Sequence, residues 1–520
     1  MDWLDWSNKF AVTSTGDSEP LYQRIVEGVS RAVGDGRLLE GERLPTNREL
    51  SNLLKVDRST VSRAYHELAQ LGLIDSHVGR GTFVKATPAK QVKIETSLPP
   101  ALKSGDNLGW SNLFSRYADG LSTSMAKLPE FAYGDDVISF AGGIPAQDSY
   151  PEAQFKNIVM ELLAAGQETL FDYSPFAGEP ALRQAVINHL VGRGMAVDDK
   201  ELLILSGSQQ GIDLVANLLI DSGDAVLVEE PTYFWAISNF KARQAELIGC
   251  PLDGEGIDLA AVERNIVRHQ PKFIYVMPNN QNPTGITMSL ARREGLLALA
   301  RKYQTPILED DFCGDLCYGR DPLPALRTLP GGKDIVIYQG TFSKALCPGV
   351  RLGWLIAPAE VIGKLSFAKR TSDLATNSMA QVMLTEFLKR GLYQDHLARV
   401  KKLYGHRLDT MLGALKEHFA GRPVSWTEPR GGLFLWLTMP AGTSNRDLLS
   451  SAIEQGVIFS PGDLCYVGSG STANLRLSFI QNDTPLIEEG IKRLARAFDL
   501  YYGNFQSERP PVRRSQHVLI

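Results

Sequence analysis

The chain has 520 residues, 43% hydrophobic and 22% charged, with a formal net charge of −5. This balance excludes a disordered or fibrous polymer and allows two or three globular domains with sizeable cores. Five cysteines (Cys250, Cys313, Cys317, Cys347 and Cys465) are too few and too scattered for a disulfide framework in a chain this long. Cys313 and Cys317 have no second Cys/His pair nearby in sequence, so buried free thiols are expected and no metal site. Met1 to Phe10 lacks the pattern of a signal peptide, and no run of about 18 apolar residues marks a membrane span. The expected setting is a reducing cytoplasm.

Charge is not spread evenly. Residues 20–86 hold ten Lys/Arg against eight Asp/Glu, a charge of +2, while the remainder of the chain is −7. Such an excess permits nucleic-acid binding without requiring it. In chain order, residues 1–19 carry Trp3, Leu4, Trp6 and Phe10 and read either as a docking arm or as a leader. Leu21, Ile25, Val29 and Val33 then recur every fourth residue, one apolar face of a first helix. Thr46-Asn47-Arg48-Glu49 has capping-box spacing and starts a second helix through Leu54. Asp57 caps a third, with Val61, Ala64, Tyr65, Leu68 and Leu71 inward and Arg58, Ser59, Thr60, Ser62 and Arg63 outward. Leu73-Ile74 and Thr82-Phe83-Val84 flank Gly79-Arg80-Gly81 as two short strands of a wing.

Three helices and a wing predict a winged helix-turn-helix over residues 20–86. The first turn of its third helix would enter the major groove of double-stranded DNA, and Arg80 at the wing tip would reach the backbone or minor groove. A winged helix used for protein contacts is the alternative. Pro20-Leu21-Tyr22, Gly36-Arg37-Leu38, the run Leu44 to Leu50, Arg58-Ser59-Thr60-Val61, Ala64-Tyr65 and the run Gly79 to Val84 resemble the GntR-type DNA-binding domain in order and spacing. The resemblance implies DNA contacts from Arg48, Arg58, Ser59, Thr60 and Gly79. Ser62 stands where some members have arginine, with Arg63 beside it.

Residues 87–136 read as a linker rich in Pro, Gly and Ser, interrupted by one amphipathic helix carrying Trp110, Leu113, Phe114 and Tyr117 and packed on the following domain. From 137 to 503, strand-like runs (Leu202 to Leu205, Ala225 to Val228, Phe273 to Val276, Ile307-Leu308, Ile335 to Tyr338) alternate with helical stretches. An α/β domain with a mostly parallel sheet follows, its polar motifs just past the strand ends. Ser206 to Gly211 suits a phosphate at a helix N-terminus. Tyr233 offers a flat ring, and Asn279 to Gly285 presents amides on a rigid turn. Glu309-Asp310-Asp311 ends a buried strand, where a carboxylate needs a cationic partner such as a protonated pyridine. Lys344 in Gly340-Thr341-Phe342-Ser343-Lys344 is a candidate Schiff-base former, with Arg351 as a fork for phosphate. Arg476, alone in an apolar strand, needs an anion. These groups together point to pyridoxal 5′-phosphate.

From about Ser139 to Leu500 the motifs resemble the fold-type I aminotransferase domain, which also implies a smaller C-terminal α+β subdomain. The resemblance gives Lys344 the aldimine, Asp310 the pyridine nitrogen, Asn282 the phenolic oxygen and Tyr233 the stacking role. It gives Ser208, Gln209, Thr341, Ser343 and Arg351 the phosphate, and Arg476 the carboxylate of an amino-acid ligand with Gly143 close by. Tyr173 would reach the phosphate of a neighbouring subunit, so a homodimer is implied. One position departs: where relatives carry a tyrosine two or three residues after the aspartate, this chain has Phe312 and Cys313.

A GntR-type front joined to an aminotransferase-like back is the arrangement of the MocR family of bacterial regulators. The resemblance implies a transcription factor that senses an amino acid or amine by aldimine exchange at Lys344. The alternative is a working aminotransferase in which Lys344 is the general base and DNA binding is secondary. Residues 504–520 are expected to be a disordered tail.

Overall fold

The computed structural model describes Trp3, Trp110 and residues 20–77, 81–85, 113–125, 136–166, 168–319, 322–468 and 473–508. Gly79 and Arg80, most of the N-terminal arm, most of the linker and residues 509–520 lie outside the described residues. The chain divides into two compact units, Met1–Leu108 and Gly109–Ile520.

In the first unit, helices α1 (Leu21–Gly34), α2 (Asn47–Leu54) and α3 (Arg58–Gln70) enclose a core of Ile25, Val29, Leu50, Val61, Ala64, Leu68 and Ile74. Trp3 packs against this core, so that part of the arm docks. Both expected caps are present. The Thr46 hydroxyl accepts from the Glu49 N–H while the Glu49 carboxylate accepts from the Thr46 N–H, and Asp57 accepts from the Ser59 N–H. Each satisfies N–H groups that a helix start leaves without intrahelical partners. The apolar faces are narrower than their spacing suggests. Leu21 (46% exposed) precedes the first full turn of packing, and Leu71 (58% exposed) is the C-cap residue of α3, beyond the reach of the core. The wing also has three strands, not two. Strand β1 (Arg43–Leu44) pairs antiparallel with β3 (Gly81–Val84), which pairs on its other side with β2 (Ile74–His77).

In the second unit, helix α4 (Arg116–Met125) starts later than the aromatic spacing implies, because the Ser115 hydroxyl accepts from the Ala118 N–H. Trp110, Leu113 and Phe114 therefore precede the helix and are exposed. The helix does pack on the domain: a Cβ at Gly120 would lie 2.8 Å from the Ala242 Cα, an approach only glycine allows.

Strand β4 (Ile138–Ser139) pairs in parallel with β15 (Val457–Ile458), and the main sheet has eight strands in the order Leu202–Leu205, Gly353–Ile356, Val336–Thr341, Ile307–Asp311, Phe273–Val276, Ala225–Glu230, Glu246–Asp253 and Gly256–Ile257. Strands β5 (Leu202–Leu205), β6 (Ala225–Glu230), β9 (Phe273–Val276), β10 (Ile307–Asp311) and β11 (Val336–Thr341) are almost wholly buried, as expected for continuous apolar runs covered on both faces. Pairings among β7 (Glu246–Asp253), β6, β9, β10 and β11 are parallel. Strand β12 (Gly353–Ile356) runs antiparallel between β11 and β5, and β8 (Gly256–Ile257) closes a hairpin with β7. Parallel order brings the C-terminal ends of five strands to one edge, where the polar motifs lie.

A smaller antiparallel sheet, β13 (Ser425–Trp426), β14 (Phe434–Thr438), β17 (Asn474–Ser478) and β16 (Ser460–Pro461), packs with long helices at Leu392–His418 and Thr484–Glu508. The last helix continues through Glu508, five residues into the stretch expected to lack structure. All five cysteines are free, and among the described residues no helix is long and apolar enough to cross a membrane.

Removing the Thr46 cap tests the first unit. Thr46→Ala should cost about 1 kcal/mol, read as roughly fivefold faster amide hydrogen exchange across Asn47–Leu54, with the second unit unaffected.

Candidate cofactor and ligand site

One cavity of about 400 Å³ is lined by Lys344, Asp310, Asn282, Tyr233, Ser208, Gly143 and Arg476, drawn from both sheets. Strand register explains the convergence. Asp310 lies opposite Gln339 and Asp311 opposite Gly340, so the acidic end of β10 and the Thr341 to Lys344 turn after β11 emerge side by side.

Asp310 is 2% exposed. Its Oδ2 accepts from the Tyr275 hydroxyl at 2.8 Å, and its Oδ1 has no hydrogen-bond partner. Burial, with the neighbouring Asp311 charge adding to it, pushes its carboxyl up to about 6. Lys344 Nζ donates to the Gly143 carbonyl at 2.8 Å. Burial first, then the nearby Arg476 and Arg351 cations, bring its amine down to about 8. A Cβ at Gly143 would meet Phe434 Cζ at 2.7 Å and Lys344 Nζ at 3.9 Å, so glycine is what lets the chain pass between them.

Arg476 donates from Nη1 to Asn282 Oδ1 at 2.8 Å and from Nη2 to the Ala141 carbonyl at 2.7 Å. Its Nε is buried without a partner, and its guanidinium lies 4.1 Å above the Phe434 ring. Tyr233, following β6, donates to Gln209 Oε1 at 3.3 Å. The Thr341 hydroxyl meets the Leu352 carbonyl at 3.2 Å and accepts from the Ser343 N–H at 3.1 Å. Arg351 Nη2 donates to the Ser206 carbonyl at 3.2 Å and lies close over Gly207, where any Cβ would approach it to 2.6 Å. Ser208 opens the helix after β5, and its N-terminal N–H groups face this edge. Tyr173 is 81% exposed and does not line the cavity. Phe312 lines it, whereas the Cys313 thiol turns to the Asn279 and Asn280 carbonyls.

Several residues behind the cavity escape a reading of sequence motifs. Asp311 accepts from Arg193, Asn279 and Tyr338, anchoring the end of β10. Glu229 accepts from the Met277 N–H and Gln281, and burial pushes it up to about 7. Tyr275 left one signal, a hydroxyl in an otherwise apolar run, but its partner is set only by strand pairing.

In the first unit Arg48 and Arg58 are exposed in the opening turns of α2 and α3. The Ser59 hydroxyl donates to Asp57 at 2.6 Å, while Thr60 is partly exposed. Arg63 is exposed but stacks on the Tyr22 ring at 3.9 Å and donates to its hydroxyl at 3.3 Å.

The model of the family described as aminotransferase class I and II matches residues 135–494, and that of bacterial regulatory proteins, gntR family, matches residues 21–84. The solved structure of LysN, an alpha-aminoadipate aminotransferase from Thermus thermophilus complexed with N-(5′-phosphopyridoxyl)-L-leucine, is 35% identical with a TM-score of 0.71. It covers 76% of this chain and 100% of its own. Similarity over nearly the full length extends to an uncharacterized HTH-type transcriptional regulator YisV of Bacillus subtilis, 30% identical over 92% of this chain and 95% of that protein. A probable rhizopine catabolism regulatory protein MocR of Rhizobium meliloti is 27% identical over 92% of this chain and 94% of its own. The chain therefore belongs to the family described as aminotransferase class I and II, in the MocR-type arrangement that places a GntR winged helix ahead of a fold-type I domain and takes pyridoxal phosphate as cofactor.

Proposed function

We propose that this protein is a homodimeric transcriptional regulator that binds double-stranded DNA through residues 20–86 and senses an α-amino compound by exchange at Lys344. The observation that carries this reading is one cavity holding a half-buried lysine, an unpartnered carboxylate oxygen and an unpartnered arginine N–H, on a chain with a GntR-type winged helix ahead of it. Exposed Arg48 and Arg58, with the partly exposed Thr60, supply DNA contacts. Ser59 serves first as part of the Asp57 cap and Arg63 is braced by Tyr22, so both are weaker contributors. Gly79 and Arg80 complete the proposed DNA surface.

The cavity fits pyridoxal phosphate. A buried carboxylate oxygen without a partner is costly unless a cationic N–H meets it, and a protonated pyridine nitrogen is such a group. Asn282 uses its Oδ1 on Arg476, which leaves its amide N–H to donate to the phenolic oxygen. Tyr233 would cover the ring, and Ser208, Gln209, Thr341, Ser343 and Arg351 would hold the phosphate with Tyr173 of the neighbouring subunit. When bound, the cofactor supplies an aldehyde carbon and an electron sink.

This chain's residues then do the rest. Lys344, its amine lowered to about 8, is neutral in a useful fraction near pH 7 and can yield its place to an incoming amine. The free Nε of Arg476 takes the carboxylate of that ligand, favouring an amino acid over a simple amine. Phe312 and Cys313 bring no hydroxyl to the cavity, which favours sensing over efficient turnover. Ligand exchange alters DNA binding to the extent that the ligand prefers one arrangement of the protein.

Fluorescence anisotropy tests the regulator reading. The cofactor-loaded protein should bind DNA from upstream of its own gene, and not scrambled DNA, at matched salt, with an amino acid altering the affinity. Arg58→Ala should weaken that binding roughly 5- to 100-fold. Equal weak binding to both DNAs, together with amino transfer to 2-oxo acids, would instead establish the enzyme reading.

Lys344→Ala should abolish the visible absorption of bound cofactor. In the unaltered cofactor-free protein the rate of capturing added pyridoxal phosphate, followed by absorbance, should rise with pH through an inflection near 8.

Asp310 has a raised folded-state pKa, so without a cationic partner it contributes a penalty that is absent below about pH 4 and complete above about 6. The two-unit shift corresponds to about 3 kcal/mol. Asp310→Asn should therefore stabilise the cofactor-free protein by up to ~3 kcal/mol at pH 8, with little change at pH 4, while weakening cofactor binding at least about tenfold. Denaturant melts at the two pH values and a cofactor titration check both halves.

A further inference from the structure

We infer that the compound recognised in this cavity is an α-amino acid whose side chain is uncharged and apolar; this rests on the reading that Lys344 exchanges with an amino compound. Among the described residues the charged ones lining the cavity are Asp310, Lys344 and Arg476, and the proposed site gives each of them a partner in the cofactor or in the ligand's backbone groups. Apart from the groups proposed to hold the cofactor and the hydroxyl of Ser460, the wall beside them is mostly apolar and includes Phe434, Phe234, Trp235, Ile458, Phe459 and Leu464.

Phe434 locates this wall relative to the ligand. Its ring lies 4.1 Å beneath the Arg476 guanidinium, and its Cζ lies 2.7 Å from the point where a Gly143 Cβ would stand, itself 3.9 Å from Lys344 Nζ. The ring thus borders the space where a carboxylate held by Arg476 and an amine replacing Lys344 must share one carbon. A substituent on that carbon continues along the apolar wall.

A second carboxylate there would need a second cation. Arg351 is the other cation acting on Lys344, and its guanidinium is held on the Ser206 carbonyl above Gly207. A side-chain ammonium would need a carboxylate, and among the described residues Asp310 is the one that lines the cavity. Burying either charge unpaired is unfavourable, whereas an aliphatic or aromatic group gains from burial against these rings and methyls.

The test uses the full-length holoprotein and the change in its cofactor absorption on adding L-phenylalanine, L-leucine, L-glutamate or L-lysine. Phenylalanine and leucine should half-saturate the change at concentrations at least tenfold lower than glutamate and lysine. Trp235→Arg, which sets a cation in the wall, should narrow the gap between phenylalanine and glutamate at least tenfold. A native preference for glutamate or lysine would overturn the assignment while leaving exchange at Lys344 standing, and would point to a charge supplied by a neighbouring subunit. A gap unchanged in Trp235→Arg would overturn it as well, by removing that residue from the ligand's wall. If none of the four amino acids moves the absorption, both the assignment and the exchange reading fall.

Discussion

The structure of the second unit turns on a carboxylate held where water cannot reach it. Asp310 sits one residue before the end of a central buried strand, with one oxygen tied to Tyr275 and the other buried without a hydrogen-bond partner. Left ionised and alone, such a group works against folding; paired with a cationic ring N–H, it works for it. The proposed pairing of Asp310 with the cofactor's ring nitrogen would relieve that cost. Lys344, Asn282 and Arg476 line the same cavity.

Holding one carboxylate in place requires others. Asp311 points away from the cavity into Arg193, Asn279 and Tyr338. Glu309 accepts from the Leu326 and Arg327 N–H groups and fixes the loop after β10. Glu229, two strands over on β6, holds Gln281 and so the turn that presents Asn282. Alternation along β10 is what separates these roles, because successive side chains leave opposite faces of the sheet. A change of register by one residue would exchange Asp310 with a neighbour committed elsewhere.

The first unit uses a simpler economy of interactions. Two side-chain caps start its second and third helices, and a small apolar core holds the wing against them. Because the caps consume Thr46, Asp57 and the Ser59 hydroxyl, the groups left outward in these opening turns include Arg48, Arg58 and Thr60. A cation and a hydroxyl at a helix N-terminus suit a phosphate-rich partner.

Local rules were enough to read much of this from sequence. The Thr46 capping box, the Asp57 cap, the wing strands, the apolar strand runs and the polar motifs after them depend on neighbours within a few residues, and they were legible for that reason. Leu21 and Leu71 were misjudged because periodicity marks a face without saying where the packing partner ends. The third wing strand at Arg43–Leu44 is too short to leave a pattern and exists through its pairing with β3. Trp110, Leu113 and Phe114 kept helical spacing but fell before a Ser115 cap. In the site, the identities of Lys344, Asp310 and Arg476 were readable, since each is a costly residue in an apolar setting. Their common cavity, the Tyr275 bond, the Phe434 ring under Arg476 and the Asp311 anchor were not. Those depend on strand order and on contacts between residues far apart in the chain, which only the folded sheet brings within bonding distance.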